Sequence, residues 1–531
     1  MKIIVAEKTA SSAVDLLREP GWTVLTHDQL DGKLAAELES ADALIVRSAV
    51  QVDAALLEHA RRLRVVGRAG VGVDNIDLDA ATRKGIAVMN TPGANAVAVA
   101  EQSIAMMLAM ARHLCRADAL MHAGKWEKKS LQGTELRGKT LGIVGLGKIG
   151  MEVARRARTF GMEIVAHDPF VSATLVKEQG IRMVSLDELY AAADYLTLHV
   201  GITPQTTGMI NAESLKKMKK GIRLVNCARG ELIDEAALVE ALKQGHVAAA
   251  ALDVFVHEPL KDSPLTELPN VILTPHIGGS THEAQEAVGI QIMLQVKEYL
   301  KHGVIQNAVN VPSVSHEEYL ELQPFTVLAE RLGAFISQIS EGTIEEISIR
   351  YSGHIAEGKT ELIRNAAIKG ILNQGLEEQV NLVNATAIAA SRGLQVHEAG
   401  KPKSSRGESM ISIFLKTSTE EHLVKGAVLH GTMPRLLHVD EIDVEAPLGR
   451  DLVYMRNKDV PGVIGRVGTI LGEHKINIAD FSLGRRAENE DPSTPREAVA
   501  VVHVDGQVPE AVLAILRKTP AVQRAKAIRL F

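Results

Sequence analysis

The chain has 531 residues, of which 46% are hydrophobic and 23% charged, and its formal net charge is −6 at pH 7. This length is enough for several folded domains, and the composition excludes a wholly disordered, collagen-like or disulfide-stabilised protein. The slight acidity and the low aromatic content of 3% argue against a nucleic-acid-binding surface, so no nucleic-acid partner is expected.

The cysteine content and the apolar segments bear on metals and on location. Two cysteines, Cys115 and Cys227, are too few for a paired-cysteine metal site or a disulfide framework, so no metal is predicted. The apolar run at the amino terminus ends at Glu7, which is too early for a signal peptide. The longest apolar stretch, about residues 96–111, is interrupted by polar residues and is too short for a membrane span. These features predict a cytoplasmic protein with no membrane partner.

Short apolar segments alternate with helical patterns from Lys2 to about Val99, and again from Leu141 to about Ile277. The predicted strands are IIVA, WTVLTH, ALIVRS, LRVVGRAG and IAVMNTP in the first series, then LGIVGLG, EIVAHDP, YLTLHV, RLVNCARG, AAALDV and VILTPHIG in the second. This alternation is typical of parallel strands joined by helical crossovers. We therefore predict two α/β domains, each built on a doubly wound parallel sheet.

The pattern changes after Gly303. The segment QNAVNVPSV has the composition of a linker, and the strands that follow, such as EEISIRYSGHIA, SMISIFLKTS and VKGAVLHGTM, alternate apolar with polar residues. Such alternation is typical of mixed or antiparallel sheets with one solvated face. An α+β domain without a recognisable catalytic motif is therefore predicted from about Val311 to Arg450.

The last eighty residues predict a β-α-β-β-α-β unit, the ferredoxin-like arrangement. The strands are LVYMRN, NIADFSLGR, AVAVVHVD and AVQRAKAIRLF, and the helices are PGVIGRVGTILGEH and PEAVLAILRKT. The first helix is predicted to begin at Pro461, with Asp459 as a candidate cap. On this helix Val463, Ile464, Val467, Ile470 and Leu471 are predicted to lie on one stripe.

A glycine motif, GLGKIG, begins at Gly145, directly after a predicted strand and before a predicted helix. In this context Gly145 permits a tight turn, Gly147 allows the backbone to approach a pyrophosphate, and Gly150 allows close helix packing. The next strand ends in Asp168, which is suited to accept hydrogen bonds from a ribose. Because no arginine stands beside it to bind a 2′-phosphate, NAD is expected rather than NADP. A tight packing turn is the alternative.

Three polar residues follow successive strands of the second series: Arg229 in NCARG, Glu258 in VHEP and His276 in TPHIGG. The carboxyl ends of parallel strands border the ligand crevice of an open sheet. Histidine suits a general base for alcohol oxidation, a carboxylate orients the imidazole and stabilises its charged form, and a guanidinium binds a substrate carboxylate. Taken singly, each residue could equally be a loop residue, a helix cap or a surface ion pair.

The segments GLGKIG, HDPF, NCARGELIDEAALVEAL, AALDVFVHEP and TPHIGGST resemble the D-isomer-specific 2-hydroxyacid dehydrogenases over residues 1 to about 310. The resemblance implies a catalytic set of Arg229, Glu258 and His276. It implies NAD contacts at Gly145, Gly147, Lys148, Ile149, Gly150, Asp168, Cys227, Ala228, Asp253, His276, Ile277, Gly278 and Gly279. It also implies a Rossmann-like NAD-binding domain at 99–281, inserted into a flavodoxin-like substrate-binding domain formed by residues 1–98 and 282–310.

Within that family, VRS, RAGVGVDNID and the long carboxyl-terminal extension resemble the members that oxidise 3-phosphoglycerate. This resemblance implies that Arg47 and Arg68 bind the substrate phosphate and that Asn95 is a further contact. Residues 311–450 resemble the intervening domain of the long members, and 451–531 resemble an ACT regulatory domain. Its effector loop would use Asp459, Gly462 and Asn477 for an amino acid such as serine, although a role in forming dimers is an equal alternative.

Two other functions remain open at this point. One is a glyoxylate or hydroxypyruvate reductase, which would need no phosphate site, and the other is an NADH-sensing corepressor that lacks turnover. The alanine-rich segment AEQSIAMMLAMARHL is compatible with the seam of a homo-oligomer, either a dimer or a tetramer, although burial within one subunit would give the same pattern.

Overall fold

The computed structural model of the protein describes residues 1–373, 380–401, 409–487 and 495–530. In these ranges the chain forms four β-sheets, of which the first two are wholly parallel, the third is mixed and the fourth is antiparallel. The predicted sequence of α/β, α/β, α+β and ferredoxin-like units is confirmed. The predicted domain boundaries stay a prediction.

The first sheet has five parallel strands in the order β2-β1-β3-β4-β5, which is the flavodoxin-like order. The strands are β1 (Lys2–Val5), β2 (Thr23–Thr26), β3 (Ala43–Val46), β4 (Val65–Arg68) and β5 (Ala87–Met89). The helices are α1 (Ser11–Asp15), α2 (His27–Leu30), α3 (Leu34–Leu38), α4 (Ala54–Glu58) and α5 (Leu78–Arg83). Strand β3 is buried along its whole length, as expected for an inner strand whose sheet is covered on both faces.

The second sheet has seven parallel strands in the order β12-β11-β10-β9-β6-β7-β8. The strands are β6 (Thr140–Val144), β7 (Glu163–His167), β8 (Ile181–Met183), β9 (Tyr195–Leu198), β10 (Ile222–Asn226), β11 (Val247–Leu252) and β12 (Val271–Leu273). The helices are α6 (Ala96–Arg112), α7 (Leu114–His122), α8 (Lys148–Thr159), α9 (Ala173–Lys177), α10 (Leu186–Ala192), α11 (Ala212–Lys217) and α12 (Glu235–Lys243). The chain direction across the sheet reverses beside β6, which is where such folds bind ligands.

The helix α13 (His282–His302) returns from the second sheet to the first. Its fully buried Ile292 and Val296 lie against Gly67 of β4, where an added Cβ atom would come within 2.8 and 2.9 Å of them. Glycine is therefore required at this position for close helix–sheet packing. Within the described ranges, none of the helices combines the length and the apolarity needed to span a bilayer.

The third sheet has the order β14-β13-β15-β16-β17-β18, in which only the β13–β14 pair is parallel. The strands are β13 (Ile344–Ser352), β14 (Gln395–Lys401), β15 (Met410–Thr417), β16 (Glu421–Leu429), β17 (Met433–Val439) and β18 (Ile442–Pro447). The helices are α14 (His316–Ile339), α15 (Glu361–Leu372) and α16 (Ala385–Ser391). Strand β15 alternates buried with half-buried residues, because one face of the sheet packs on the helices.

The fourth sheet is antiparallel, with the order β20-β21-β19-β22. Its elements are β19 (Asp451–Lys458), α17 (Val463–Glu473), β20 (Ile478–Arg485), β21 (Glu497–Val504), α18 (Glu510–Lys518) and β22 (Val522–Arg529). Short 3-10 turns at Lys128–Leu131, Gly230–Leu232, Pro264–Glu267 and His354–Glu357 complete the described secondary structure.

The predicted start of the first ferredoxin-like helix was wrong. Helix α17 begins at Val463 rather than Pro461, because Gly462 before it has a φ of 91°, outside the helical region. Asp459 does not cap the helix, because the residue at the cap position is Gly462 and no side chain bonds there; the Asp459 carboxylate lies 3.1 Å from Nε of Arg485. On the predicted stripe, Val463, Val467 and Leu471 are buried, whereas Ile464 is 49% exposed.

Candidate active site

Several of the sequence-predicted residues line one cavity of about 780 Å³. It lies at the carboxyl ends of strands from both parallel sheets, which is the edge where open α/β sheets bind ligands. The predicted residues in its lining are Arg47, Arg68, Asn95, Glu258, His276 and Gly279. Residues that are hundreds of positions apart in the chain are therefore neighbours in space.

The imidazole of His276 is paired with the carboxylate of Glu258. The distance from Nδ1 to Oε2 is 2.7 Å, and the other carboxylate oxygen accepts a hydrogen bond from the backbone N–H of Phe255 at 3.1 Å. Half of the His276 side chain is exposed. With Nδ1 bound to Glu258, Nε2 is the nitrogen left to exchange a proton with a substrate.

The turn that carries His276 is built around Asp253, which is 1% exposed. One carboxylate oxygen accepts from the hydroxyl of Thr274 at 2.5 Å and from the backbone N–H of Ile277 at 2.9 Å, and the other accepts from Gly278 at 2.7 Å. His276 itself has a φ of 53°, a left-handed conformation that needs such support. Asp253 therefore fixes the backbone that presents the imidazole.

Arg229 follows β10 in a turn held by the buried amide of Asn226. That amide accepts from the backbone N–H of Ala228 at 3.0 Å and donates to the carbonyl of Arg229 at 2.8 Å. The guanidinium of Arg229 lies outside the cavity lining and pairs instead with Asp74 at 3.2 Å. Asp74 follows β4 of the first sheet, so the pair joins the two lobes, that is, the domain built on the first sheet (the first lobe) and the domain built on the second sheet. Asp74 lies within the motif RAGVGVDNID, but nothing in its local sequence indicates this contact.

The two predicted phosphate-binding arginines border the same cavity. Arg68 is partly buried, its Nε has no hydrogen-bond partner, and its Nη1 is 3.4 Å from the carbonyl of Ala69. Two effects lower the pKa of Arg68 from its usual value: burial is the larger, and repulsion from Arg229 is the next. An anion placed here would relieve both effects, because it supplies acceptors and opposite charge. The buried Oδ1 of Asn95 likewise has no partner.

The glycine turn has the shape needed to hold a dinucleotide. Gly145 has a φ of 89°, and a Cβ atom at Gly150 would collide with the carbonyl of Gly145, whereas a Cβ at Gly147 would meet nothing within 4 Å. Helix α8 begins with Lys148 and Ile149. The residue before it, Gly147, has no side chain that could cap the helix. Its first N–H groups are thus available to an anion. These observations fit a bound pyrophosphate.

The carboxylate of Asp168 lies beside this turn, at the end of β7. It accepts from the backbone N–H of Leu146 and of Phe170, both at 2.8 Å. Each carboxylate oxygen keeps a lone pair for a further donor, so a ribose hydroxyl could still bind. Lys148 extends its side chain toward the first lobe, where Nζ donates to the carbonyl of Pro92 at 3.0 Å.

Cys227 is buried beside this region, with its Sγ 3.5 Å from the sulfur of Met106. Burial raises the pKa of its thiol to about 12. Because only the thiolate reacts with thiol reagents, we expect a Cys115→Ser variant to show no fast-reacting thiol at pH 8. One thiol per chain should appear on unfolding, as measured with a chromogenic disulfide reagent. A fast native reaction would contradict this placement.

A second cavity, of about 350 Å³, lies at the start of α17. Its lining includes Asp459 and Gly462, together with Asn457, whose Oδ1 is buried and has no partner. Asn477 lies outside this lining, and its amide donates to Asp505 at 2.8 Å. Two of the three predicted effector-binding residues are thus brought together.

Comparison with known protein families divides the chain into three matched regions. Residues 104–278 match the D-isomer specific 2-hydroxyacid dehydrogenase, NAD binding domain. Residues 321–440 match the D-3-phosphoglycerate dehydrogenase intervening domain, and residues 452–521 match the ACT domain. These matches agree with the order of units in the fold.

Individual relatives extend the similarity to the whole chain. The D-3-phosphoglycerate dehydrogenase of Methanocaldococcus jannaschii is 40% identical over 531 residues, covering 100% of both chains. Among solved structures, a glyoxylate reductase from Paecilomyes thermophila has a TM-score of 0.53 at 33% identity, covering 58% of this chain and 98% of that one. A D-lactate dehydrogenase from Aquifex aeolicus, complexed with NAD and lactic acid, has a TM-score of 0.51 at 30% identity, covering 59% and 100%.

Proposed function

The chain belongs to the D-3-phosphoglycerate dehydrogenase family, and we propose on this basis that it oxidises 3-phospho-D-glycerate to 3-phosphooxypyruvate in this cavity, with NAD as the oxidant. Such a reaction would form the first step of the phosphorylated route to serine. The chain is an oxidoreductase that carries the NAD-binding domain of the 2-hydroxyacid dehydrogenases.

The observation that carries the substrate proposal is the composition of the 780 Å³ cavity. A histidine–carboxylate pair, His276 and Glu258, borders the same space as two arginines, Arg47 and Arg68. An unphosphorylated 2-hydroxy acid needs one cation for its carboxylate, whereas two further cations match a phosphate dianion. The match of residues 321–440 to the D-3-phosphoglycerate dehydrogenase intervening domain also supports a phosphorylated substrate.

In the proposed reaction, Nε2 of His276 accepts the proton of the substrate C2 hydroxyl. Glu258 holds the ring by Nδ1 and stabilises the imidazolium that forms. When bound, NAD supplies the acceptor for the hydride that leaves C2. Arg229 would exchange Asp74 for the substrate carboxylate, while Arg47 and Arg68 would bind the phosphate and Asn95 would contact the substrate.

The cofactor contacts are proposed from the fit of the glycine turn. Gly145, Gly147 and Gly150 would place the pyrophosphate against the first N–H groups of α8. Asp168 would bind the adenosine ribose and repel a 2′-phosphate, which favours NAD over NADP. The remaining residues proposed to contact NAD are Lys148, Ile149, Cys227, Ala228, Asp253, His276, Ile277, Gly278 and Gly279.

The direct test is NADH formation from 3-phosphoglycerate, compared with reduction of glyoxylate and hydroxypyruvate. We expect turnover with the phosphorylated substrate, and an Arg68→Ala variant should raise its KM by roughly 10-fold or more through loss of a charge-assisted hydrogen bond. The KM for hydroxypyruvate should change by less than about 3-fold. Equal effects on both substrates would favour the reductase alternative. Partner binding without any turnover would favour the corepressor alternative.

We further propose that the 350 Å³ cavity binds an amino-acid effector at Asp459 and Gly462, with serine as the first candidate and Asn477 as a more distant contributor. The carboxylate of Asp459 suits an amino group, once the ion pair with Arg485 at 3.1 Å is exchanged. Adding serine to the same assay tests regulation directly. If serine changes neither rate nor KM, serine is excluded as the effector.

An oligomer is proposed from exposed apolar side chains on and after α7. Leu114 and Met121 are each 55% exposed, and Trp126 is 81% exposed. Leu114 and Met121 are seven positions apart on α7 and therefore share one helix face, and large apolar side chains exposed on one face are typical of an interface. We therefore propose a homo-oligomer, a dimer or a tetramer, which light scattering of the intact chain would count.

A further inference from the structure

The loop after β3, residues 47–50, carries Arg47 and Ser48 to the wall of the active-site cavity. Both side chains leave an irregular segment, which has no strand partner to fix its backbone beyond Val46. The position of Arg47, the cation in this loop, therefore depends on what binds the backbone N–H and C=O groups of the loop. Two side chains from other parts of the first lobe do so.

The carboxylate of Glu7, just beyond β1, accepts three backbone hydrogen bonds from this loop. Oε1 accepts from Arg47 at 2.8 Å and from Val50 at 3.1 Å, and Oε2 accepts from Ala49 at 3.2 Å. Bonds from backbone N–H groups to a carboxylate are stronger than neutral ones. Glu7 thus satisfies three of the donors in one short segment.

The amide of Asn75, beyond β4, binds the acceptors of the same loop. Its Nδ2 donates to the carbonyl of Arg47 at 3.0 Å and to the carbonyl of Val50 at 2.7 Å. We refer to Glu7 and Asn75 together as the loop clamp. It holds the donors of the loop through one side chain and the acceptors through the other.

We propose that the loop clamp positions Arg47 for the phosphate of the substrate, so that Glu7 and Asn75 are positioning residues for the proposed reaction. The inference rests on the proposed function and adds a reason for its phosphate specificity. Neither residue lines the cavity. Their effect would pass through the backbone of residues 47–50, whose displacement by about 1 Å is enough to weaken a charge-assisted contact.

Because Glu7 is charged, an effect of its charge and an effect of its position would change KM in opposite directions. The negative charge of Glu7 stabilises the charged form of Arg68, so removing this charge would by itself make the cavity more attractive to an anion. A Glu7→Gln variant should then lower the KM for the phosphorylated substrate if charge dominates. If position dominates, KM should rise, because an amide cannot accept the bond from Ala49 with its nitrogen.

We expect Glu7→Gln to raise the KM for 3-phosphoglycerate by about 10-fold while kcat and NADH binding change by less than about 3-fold. Asn75→Ala, which changes no charge, should raise KM in the same direction and serves if Glu7→Gln does not fold. An unchanged or lowered KM in both variants would overturn the proposal.

A matched control is Asp42→Asn at the opposite end of β3. Asp42 is 6% exposed and accepts from the backbone N–H of Lys2 at 2.7 Å. It therefore joins β1 to the segment before β3 at the end of the sheet that lies away from the cavity. Asp42→Asn should lower the melting temperature but leave KM within about 2-fold of wild type. An equal rise of KM in this control would mean that the loop clamp affects KM only through the general stability of the fold, which would overturn the positioning role.

A double variant separates positioning from an independent effect. If Glu7 acts through Arg47, then Glu7→Gln should change KM by less than about 2-fold in an Arg47→Ala background. A full 10-fold effect in that background would overturn the proposal. Protection against thermal unfolding by inorganic phosphate, compared between wild type and Glu7→Gln, needs no turnover. It therefore judges the clamp even if wild type fails to oxidise 3-phosphoglycerate, a result that would overturn only the proposed function.

Discussion

His276→Ala is expected to lower kcat by roughly 10²-fold or more, the scale of losing a general base. The imidazole is held by Glu258 at 2.7 Å and borders the cavity. Alanine removes the proton acceptor but leaves the glycine turn and Asp168 unchanged. NADH binding, measured by fluorescence titration, should therefore remain within about 3-fold of wild type. Initial rates of NADH formation would measure the loss in kcat.

A suitable control is His257→Ala, which removes an exposed imidazole from the same segment without touching the cavity lining. It should leave kcat close to the wild-type value. Glu258→Gln keeps a hydrogen-bonding group beside His276 but removes its charge, so a smaller loss than for His276→Ala is expected. Normal turnover by His276→Ala would refute the assignment of the base.

Much of the fold could be predicted from local pattern. Fully apolar segments such as ALIV and YLTL are inner strands of parallel sheets, buried at every residue. The alternation in MISIFLKT likewise marks a strand with one face on the helices. In contrast, β8 was not predicted, because this three-residue edge strand exposes Arg182 and lacks a run of buried residues. Other edge strands were predicted, because β5, for example, is buried at every residue, whereas β8 carries too little apolar surface to show in the sequence.

The candidate site was predictable where a residue type follows a strand. Arg47 follows β3, Asp168 follows β7 and Arg229 follows β10, and the carboxyl ends of parallel strands meet at one edge. The supporting contacts were not predictable in the same way. Glu7 binds backbone groups about forty positions away, and such pairing depends on the order of strands in the sheet rather than on local spacing.

The ion pair between Arg229 and Asp74 also has no local signature. It connects the loop after β4 with the turn after β10, and these two loops meet only when both sheets are assembled. The pair gives the guanidinium a carboxylate partner in the position where a substrate carboxylate is expected. Asp74 is 68% exposed, so the pair contributes little stability and can be exchanged at low cost.

Arg229→Gln is expected to lower kcat/KM for 3-phosphoglycerate by roughly 10²-fold or more. A hydrogen bond to a charged group contributes about 1.5–3 kcal/mol, and a bidentate contact to a carboxylate contains two of them. The Arg229 side chain is 27% exposed, so water replaces it only in part. Steady-state kinetics should show the loss for every 2-carboxylate substrate, phosphorylated or not.

The matched control for this variant is Arg223→Gln on β10, the strand that precedes Arg229. The Arg223 guanidinium lies 5.3 Å from the ring centre of Tyr195 and is not part of the cavity. Its removal should cost stability without changing kcat/KM by more than about 2-fold. Arg229→Gln and Arg68→Ala should then differ in kind, because the first affects all carboxylate substrates and the second mainly the phosphorylated one. If both variants discriminated equally against phosphate, the carboxylate would not lie at Arg229, and the proposed orientation of the substrate would have to be reversed.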